Sequence, residues 1–270
     1  MVNQEPLISV LMTAYNREKY IAEAIESVLN STFQDFELII VDDCSKDSTL
    51  EIAKGFEKKD SRVKVFSNKV NLGDYPNRNK AASYASGKYI KYLDSDDYIY
   101  PNSLDIMVSA MEKFQDSTFG LSAIGNLKSP YPIQLSPRES YFQHFNGYGH
   151  FNRAPGSAIM NRLKFEMEGG FKIPRYAGDA ELWFRLAQKY DVVLFQMDLV
   201  WDRCHDESER INESKDKNAS KIRHELVHKM LQSNNCPLDK KQVRQIIFKR
   251  RLAAVKSSIK GIVQFFLPRF

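Results

Sequence analysis

Cysteine is scarce in this chain of 270 residues: Cys44, Cys204 and Cys236 are an odd number at wide, unpatterned spacing. They cannot all pair with one another and form no C-x-x-C, so a disulfide scaffold is excluded and a reducing compartment is the simplest reading. Glycine-rich phosphate cradles are missing as well. Neither G-x-x-x-x-G-K-[ST] nor G-x-G-x-x-G occurs, which argues against a P-loop nucleotidase and against the common dinucleotide fold. No stretch approaches the roughly 20 apolar residues of a membrane helix. Met1 to Pro6 lacks a basic region followed by an apolar one, so no signal peptide is expected and the chain is expected in the cytoplasm. Internal repeats and low-complexity blocks are absent too.

What is present is ordinary for a folded globular chain: 43% hydrophobic and 27% charged residues. The net charge of +5 hides an asymmetry. Residues 206–270 carry 15 Lys+Arg against 7 Asp+Glu, net +8, and the first 205 residues are net −3. A mildly acidic body therefore precedes a basic tail, which suits contact with something anionic.

The first hundred residues alternate between strand and helix signals. Strands are expected at Leu7–Met12, Phe36–Val41, Val63–Phe66 and Lys88–Leu93. Helices are expected on the face marked by Ile21, Ala24, Ile25 and Val28, over Ser48–Lys59, and over Asn77–Ala85. Alternation of this kind predicts parallel βαβ units, an α/β fold with a doubly wound, Rossmann-like, mostly parallel sheet and helices on both faces. Residues 125–156 read as loop-rich, with scattered Gly and Pro and many aromatics, and with short strands whose positions the pattern does not fix. Strand character resumes at Gly156–Met160, a helix is expected over Asp179–Lys189 and late strands at Val192–Met197 and Leu199–Arg203.

Ligands of an open parallel sheet bind beyond the carboxyl ends of its strands. Three early strands end in polar clusters: Thr13-Ala14-Tyr15-Asn16, Asp42-Asp43 and Asp94-Ser95-Asp96-Asp97. Thr13 and Asn16 read equally as caps of the next helix, and Asp42-Asp43 as a strand end. Acidic clusters converging on one sheet edge repel, and a divalent cation or ribose hydroxyls between them offset that repulsion. Carboxylates in this position suit Mg²⁺ or Mn²⁺ with a phosphorylated substrate.

In order and spacing, Ile8 to Asn16, Val41-Asp42-Asp43-Cys44-Ser45, Arg78-Asn79, Leu93 to Asp97, Glu168-Gly169-Gly170-Phe171 and Gly178 to Leu186 resemble the family 2 glycosyltransferases. The resemblance covers roughly residues 7–205. It implies a GT-A fold and an inverting transfer of sugar from a nucleotide diphosphate sugar, most often UDP-linked, to an acceptor hydroxyl. It divides the chain into a glycosyltransferase domain over 1–205, with a nucleotide-sugar half to about 100 and an acceptor half beyond, and a helical basic extension over 206–270. It implies that Thr13, Ala14, Tyr15, Asn16, Asp42, Asp43, Arg78, Asp94 and Asp96 line the nucleotide site, and that Asp96, Asp97 and His205 hold a Mn²⁺ or Mg²⁺ ion. Asp179 would be the catalytic base. The family often has Glu-Asp where this chain has Gly178-Asp179, a departure that spares the base, and the same position also suits a helix cap. Acceptors implied are glycans, lipid-linked or protein-linked, in surface polysaccharide or glycoconjugate synthesis.

Three alternatives read the same residues differently. A sugar-1-phosphate nucleotidyltransferase would carry a Gly-rich basic loop where Thr13 to Arg17 stand. A non-catalytic nucleotide-sugar-binding scaffold has no need of every acidic motif. A nucleic-acid binder is disfavoured by the acidic body, so no nucleic-acid partner is expected. In the tail, Phe248, Leu252, Val255, Ile259, Ile262 and Phe266 trace one apolar helical stripe, with Lys249, Arg250, Arg251, Lys256 and Lys260 off it. Residues 238–270 carry 9 Lys+Arg and one acid, net +8. The stripe either docks on the body or on a second copy as a homodimer, or enters an anionic membrane surface and places the chain peripherally on the inner face of the cell membrane.

Overall fold

The computed structural model describes residues 5–123, 129–172, 176–205 and 216–266, without the side chains of residue 217 and of 254–266. Its first half is βαβ throughout: β1 (Ile8–Ala14), α1 (Ile21–Leu29), β2 (Phe36–Asp42), α2 (Thr49–Glu57), β3 (Val63–Ser67), α3 (Asp74–Ala82) and β4 (Tyr89–Tyr92). These strands pair in parallel in the order β3-β2-β1-β4, with Leu11 opposite both Ile39 and Tyr92. All seven residues of β2 are buried, as expected for a strand covered on both faces.

Beyond β4 come β5 (Tyr98–Ile99), α4 (Ser103–Lys113), β6 (Phe119–Ser122), β7 (Ile133–Leu135), α5 (Pro137–Gln143), β8 (Ala158–Asn161), α6 (Arg162–Met167), α7 (Gly178–Ala187), β9 (Val192–Phe195) and β10 (Val200–Trp201). The eight-stranded sheet runs β3-β2-β1-β4-β8-β6-β9-β7. β8 is antiparallel to both of its neighbours and β7 is antiparallel to β9, so the sheet is mixed although mostly parallel. β5 and β10 form a separate antiparallel pair.

Alternate side chains of one strand enter opposite cores, which is the pleat made visible. Val10 and Met12 pack with Ile21, Ile25 and Val28 of α1 and with Met107 and Met111 of α4. Leu11, Ile39 and Val41 face the other way, toward Ala81 of α3 and Leu182 and Trp183 of α7. Helices therefore cover both faces. Each fully buried side chain of this size contributes about 1.5–3 kcal/mol of transfer free energy.

Two of the expectations that shift are informative. α3 starts three residues earlier than the periodicity suggests, with Pro76 in its first turn, where a missing N–H leaves no helical bond unmade. The stretch read as loop contains α5, opened by a capping box in which Ser136 accepts from Glu139 N and the Glu139 side chain accepts from Ser136 N.

The C-terminal segment adds α8 (Lys217–Gln232) and α9 (Lys240–Phe266). Met230, Leu231, Leu238 and Ile246 are buried in the same core as Trp183. Val243 and Ile247 pack beside them, so the first two turns of α9 dock on the body. An Arg138–Asp239 ion pair lies at the edge of this contact. Phe248 and Leu252, the start of the apolar stripe, remain 63% and 45% exposed. At about 100° per residue they lie nearly opposite Val243 and Ile246. The residues that dock are thus not Phe248 and Leu252; Val255, Ile259, Ile262 and Phe266 lie outside the described side chains.

Candidate active site

The carboxyl ends of β1, β2 and β4 lie side by side, and the polar clusters meet there. Ala14 is buried in β1, with its carbonyl accepting from Asp43 N at 2.8 Å. Asn16 takes a left-handed conformation, φ 53°, which Asn tolerates better than most residues. Its N–H donates to Ser45 Oγ and its Oδ1 accepts from Lys46 N, tying the loop after β1 to the loop after β2. Thr13 is half-buried and Tyr15 is 44% exposed, so both are open to a ligand at the rim.

Asp42 and Asp43 are both buried. Asp43 accepts from Asn68 Nδ2, Leu72 N and Gly73 N at 2.8–3.1 Å, so both its oxygens hold the 68–73 loop. Asp42 Oδ2 accepts from Ser45 N and Ser67 Oγ, whereas its Oδ1 is buried without a partner. An orphaned carboxylate oxygen costs about 1–3 kcal/mol or more, which a ligand donor at this point would recover.

Arg78 is buried on α3 between two acids: Nε donates to Asp74 at 2.6 Å and Nη2 to Asp94 at 2.7 Å. Its guanidinium also lies over Tyr92, 5.6 Å from the ring centre. Nη1 is buried with no partner. That spare donor beside the acidic 94–97 cluster is of a kind suited to a phosphate oxygen. Neighbouring Asn79 works structurally, bridging both backbone groups of Phe171. Gly170, at φ 61°, is required there, since a Cβ would stand 2.4 Å from Asn79 Oδ1.

The 94–97 motif splits into distinct environments. Asp96 Oδ2 accepts from Arg17 Nε and lies 3.0 Å from His205 Nε2, so two residues 109 apart in sequence meet here. His205 stacks on Tyr20, and its Nδ1 is buried without a partner. Asp97 is buried and accepts from Arg203 N. Burial first, then the Asp94 charge, pushes its carboxyl up to about 8. Below the motif, fully buried Lys91 donates to the carbonyls of Tyr92 and Gly156. Burial brings its ammonium down to about 7.

Asp96 and His205, 3.0 Å apart, and the adjacent Asp97 are donor types that a divalent cation takes. Carboxylate oxygens and an imidazole nitrogen are suitable donors, and a carboxyl pushed toward its neutral form by burial and a neighbouring acid is relieved by added positive charge. Among the described residues no group of three or more His, Cys, Asp or Glu is arranged to hold a metal ion by itself. That suits an ion completed by substrate phosphate and water.

Asp179 opens α7, where Ala177 provides no side-chain cap. Its Oδ1 accepts from Ala180 N at 2.7 Å, so a capping role is partly realised. Sequence reading missed Arg17, Arg203 and Tyr75. The first two flank recognised motifs, and Tyr75 sits one turn before Arg78 and reaches across to α7.

With this geometry in place, the similarities are specific. The family model described as Glycosyl transferase family 2 matches residues 9–168. An uncharacterised glycosyltransferase of Methanocaldococcus jannaschii is 32% identical over 203 residues, 70% of this chain and 68% of that one. The Escherichia coli UDP-Glc:alpha-D-GlcNAc-diphosphoundecaprenol beta-1,3-glucosyltransferase WfgD is 42% identical over 107 residues, 40% of this chain and 42% of its own. Among solved structures, Staphylococcus aureus TarS 1-349 in complex with UDP-GlcNAc superposes with a TM-score of 0.67 at 21% identity, covering 88% of this chain and 70% of that one. The mannosyltransferase PcManGT of Pyrobaculum calidifontis, in complex with GDP-Man and Mn²⁺, gives 0.59 at 14%, covering 98% and 82%.

Proposed function

Because this chain belongs to glycosyl transferase family 2 and has its GT-A fold, we propose that it transfers a sugar from a UDP-linked donor to an acceptor hydroxyl with inversion at the anomeric carbon. The observation that carries this reading is the path through α3. Arg78 on that helix is bonded to Asp94 of the nucleotide cluster, and Tyr75 one turn earlier is bonded to the first turn of α7, where Asp179 sits. One short helix thus ties the donor side to the candidate base.

In the proposed reaction the acceptor oxygen attacks the anomeric carbon while the bond to the nucleotide diphosphate breaks. Asp179 takes the acceptor proton. The spare Arg78 donor meets the departing diphosphate. Asp42, Thr13, Tyr15 and Asn16 line the nucleoside side, and Asp43 shapes it by fixing the 68–73 loop. Asp96, Asp97 and His205 would hold a Mn²⁺ or Mg²⁺ ion, which when bound supplies charge compensation to the leaving group. The acceptor proposed is a glycan, in particular a lipid-linked one, by analogy with the diphosphoundecaprenol named for the Escherichia coli relative. No helix of the described residues is long and apolar enough to cross a membrane. We place the chain peripherally on an anionic membrane face through the exposed Phe248–Leu252 side of α9.

The test is release of nucleotide from a panel of UDP- and GDP-sugars, with and without Mn²⁺ and chelator. Metal-dependent turnover of one donor, lost in Asp179→Asn, is the expected result. Tight donor binding with no turnover on any acceptor would instead favour a non-catalytic scaffold.

A further inference from the structure

Gly178 and Tyr75 are built around each other. A Cβ at position 178 would stand 2.5 Å from Tyr75 Cε2 and 2.6 Å from Cζ, nearer than packed atoms approach. The Tyr75 ring is buried and stacked on Phe171, with centroids 5.2 Å apart. Its hydroxyl oxygen accepts from Gly178 N at 3.1 Å and from Asp179 N at 3.3 Å. The first turn of a helix has N–H groups with no partner inside the helix. The residue before α7, Ala177, has no side chain that could serve them. Tyr75, 103 residues away in sequence, serves two of them instead.

We propose that Tyr75 is a positioning residue for Asp179, holding the first turn of α7 in register with the donor side of the site. This rests on the reading of Asp179 as the base. The hydroxyl accepts from the N–H of Asp179 itself, so displacing it shifts the backbone from which the carboxylate projects. The absence of a side chain at Gly178 is what lets the ring approach this closely. Arg78, one turn on from Tyr75 in α3, is bonded to Asp94, so the distance between the nucleotide cluster and Asp179 is set through few covalent and hydrogen-bonded links. A misplacement of about 1 Å at such a point is enough to cost about 10²-fold in rate.

The test compares the full chain with Tyr75→Phe and Gly178→Ala. Tyr75→Phe keeps the ring and removes the acceptor; Gly178→Ala keeps the acceptor and displaces the ring. Both should lower the rate of UDP release from UDP-glucose or UDP-N-acetylglucosamine by tenfold or more, with KM for the donor within about twofold of the parent. Independently of any ligand, amide hydrogen exchange in the first turn of α7 should speed up about tenfold in Tyr75→Phe, with the sheet amides unchanged. Unchanged protection there, or a loss of donor binding as large as the loss of rate, overturns the proposal. Asp179→Asn measured in parallel separates the two ideas. Full turnover in that variant ends the base assignment, whereas an inactive Asp179→Asn beside a fully active Tyr75→Phe ends only the positioning role.

Discussion

Reversing two charges on α9 tests whether the protein meets a membrane, without disturbing its fold. Arg244 and Arg251 are exposed and lie about one turn either way along α9 from the exposed Phe248. Each basic residue near an anionic surface contributes about 1 kcal/mol, and a carboxylate in its place is repelled by a similar amount. Arg244→Glu with Arg251→Glu therefore changes the membrane term by about 4 kcal/mol, close to a thousandfold in partition at low salt. Phe248→Ser with Leu252→Ser probes the apolar part, where the exposed fraction of the two side chains amounts to about 2–3 kcal/mol on insertion. Because the docking residues Val243, Ile246 and Ile247 are untouched, the melting temperature should stay within the small range expected of surface changes. The assay is co-sedimentation of the full chain with vesicles of pure phosphatidylcholine or of phosphatidylcholine with phosphatidylglycerol. The parent should pellet only with the anionic vesicles and less so as salt is raised. If the charge-reversed chain pellets equally well, or the parent stays in the supernatant at low salt, the membrane reading is wrong. A concentration-dependent dimer lost in Phe248→Ser with Leu252→Ser would then assign the stripe to a second copy.

Asp179→Asn should lower kcat by about 10²-fold or more while leaving nucleotide-sugar affinity nearly unchanged; a fall in affinity with kcat kept would make Asp179 a binding residue. Asp96→Asn with Asp97→Asn should abolish the response of turnover to Mn²⁺ or Mg²⁺ with the fold retained by circular dichroism, and full activity in excess chelator would remove the metal from the mechanism. Stability should also fall on mild acidification. His144 and His150 are buried, which pulls their imidazoles down to about 3 and about 4. Between those values and the usual 6.5 the unfolded chain binds more protons than the folded one, so stability present above about pH 6.5 is lost as pH falls toward 3. Thermal melts of the parent against His144→Gln with His150→Gln should show a flatter profile for the variant over that range; parallel profiles would contradict it.

The alternating first half was legible because each strand is an apolar run ending in turn chemistry and each helix shows its buried face in the sequence. β2 is buried along its whole length, and the run Phe36–Val41 already says so. Legibility fails where contacts replace periodicity. α6 and α5 are six and seven residues long, too short to display a face, and α5 is announced only by its Ser136–Glu139 capping pair. β7, three residues at the sheet edge, carries almost no pattern. The tail shows a different limit. Periodicity found the stripe starting at Phe248, but the docking face of Val243, Ile246 and Ile247 belongs to the two turns before it and depends on where the body lies.

In the site, strand-end carboxylates could be read from sequence because the fold rule places them at one edge. Which of them carries free valence could not. Asp43 has its oxygens engaged by a loop, Asp42 keeps one oxygen orphaned, and Arg78 keeps one nitrogen. The loop partners of Asp43 stand 25 to 30 residues away, and the two acids that occupy Arg78 stand 4 and 16 away. The departure at Gly178 makes the same point more sharply. Read as a linear motif, the glycine is a missing acidic residue beside Asp179. In the folded chain its Cβ space is filled by the Tyr75 ring, and the helix N–H groups beside it are met by the Tyr75 hydroxyl. A side chain lost at one position and an aromatic placed 103 residues earlier form a single arrangement. Exchanging either residue alone should therefore harm the first turn of α7.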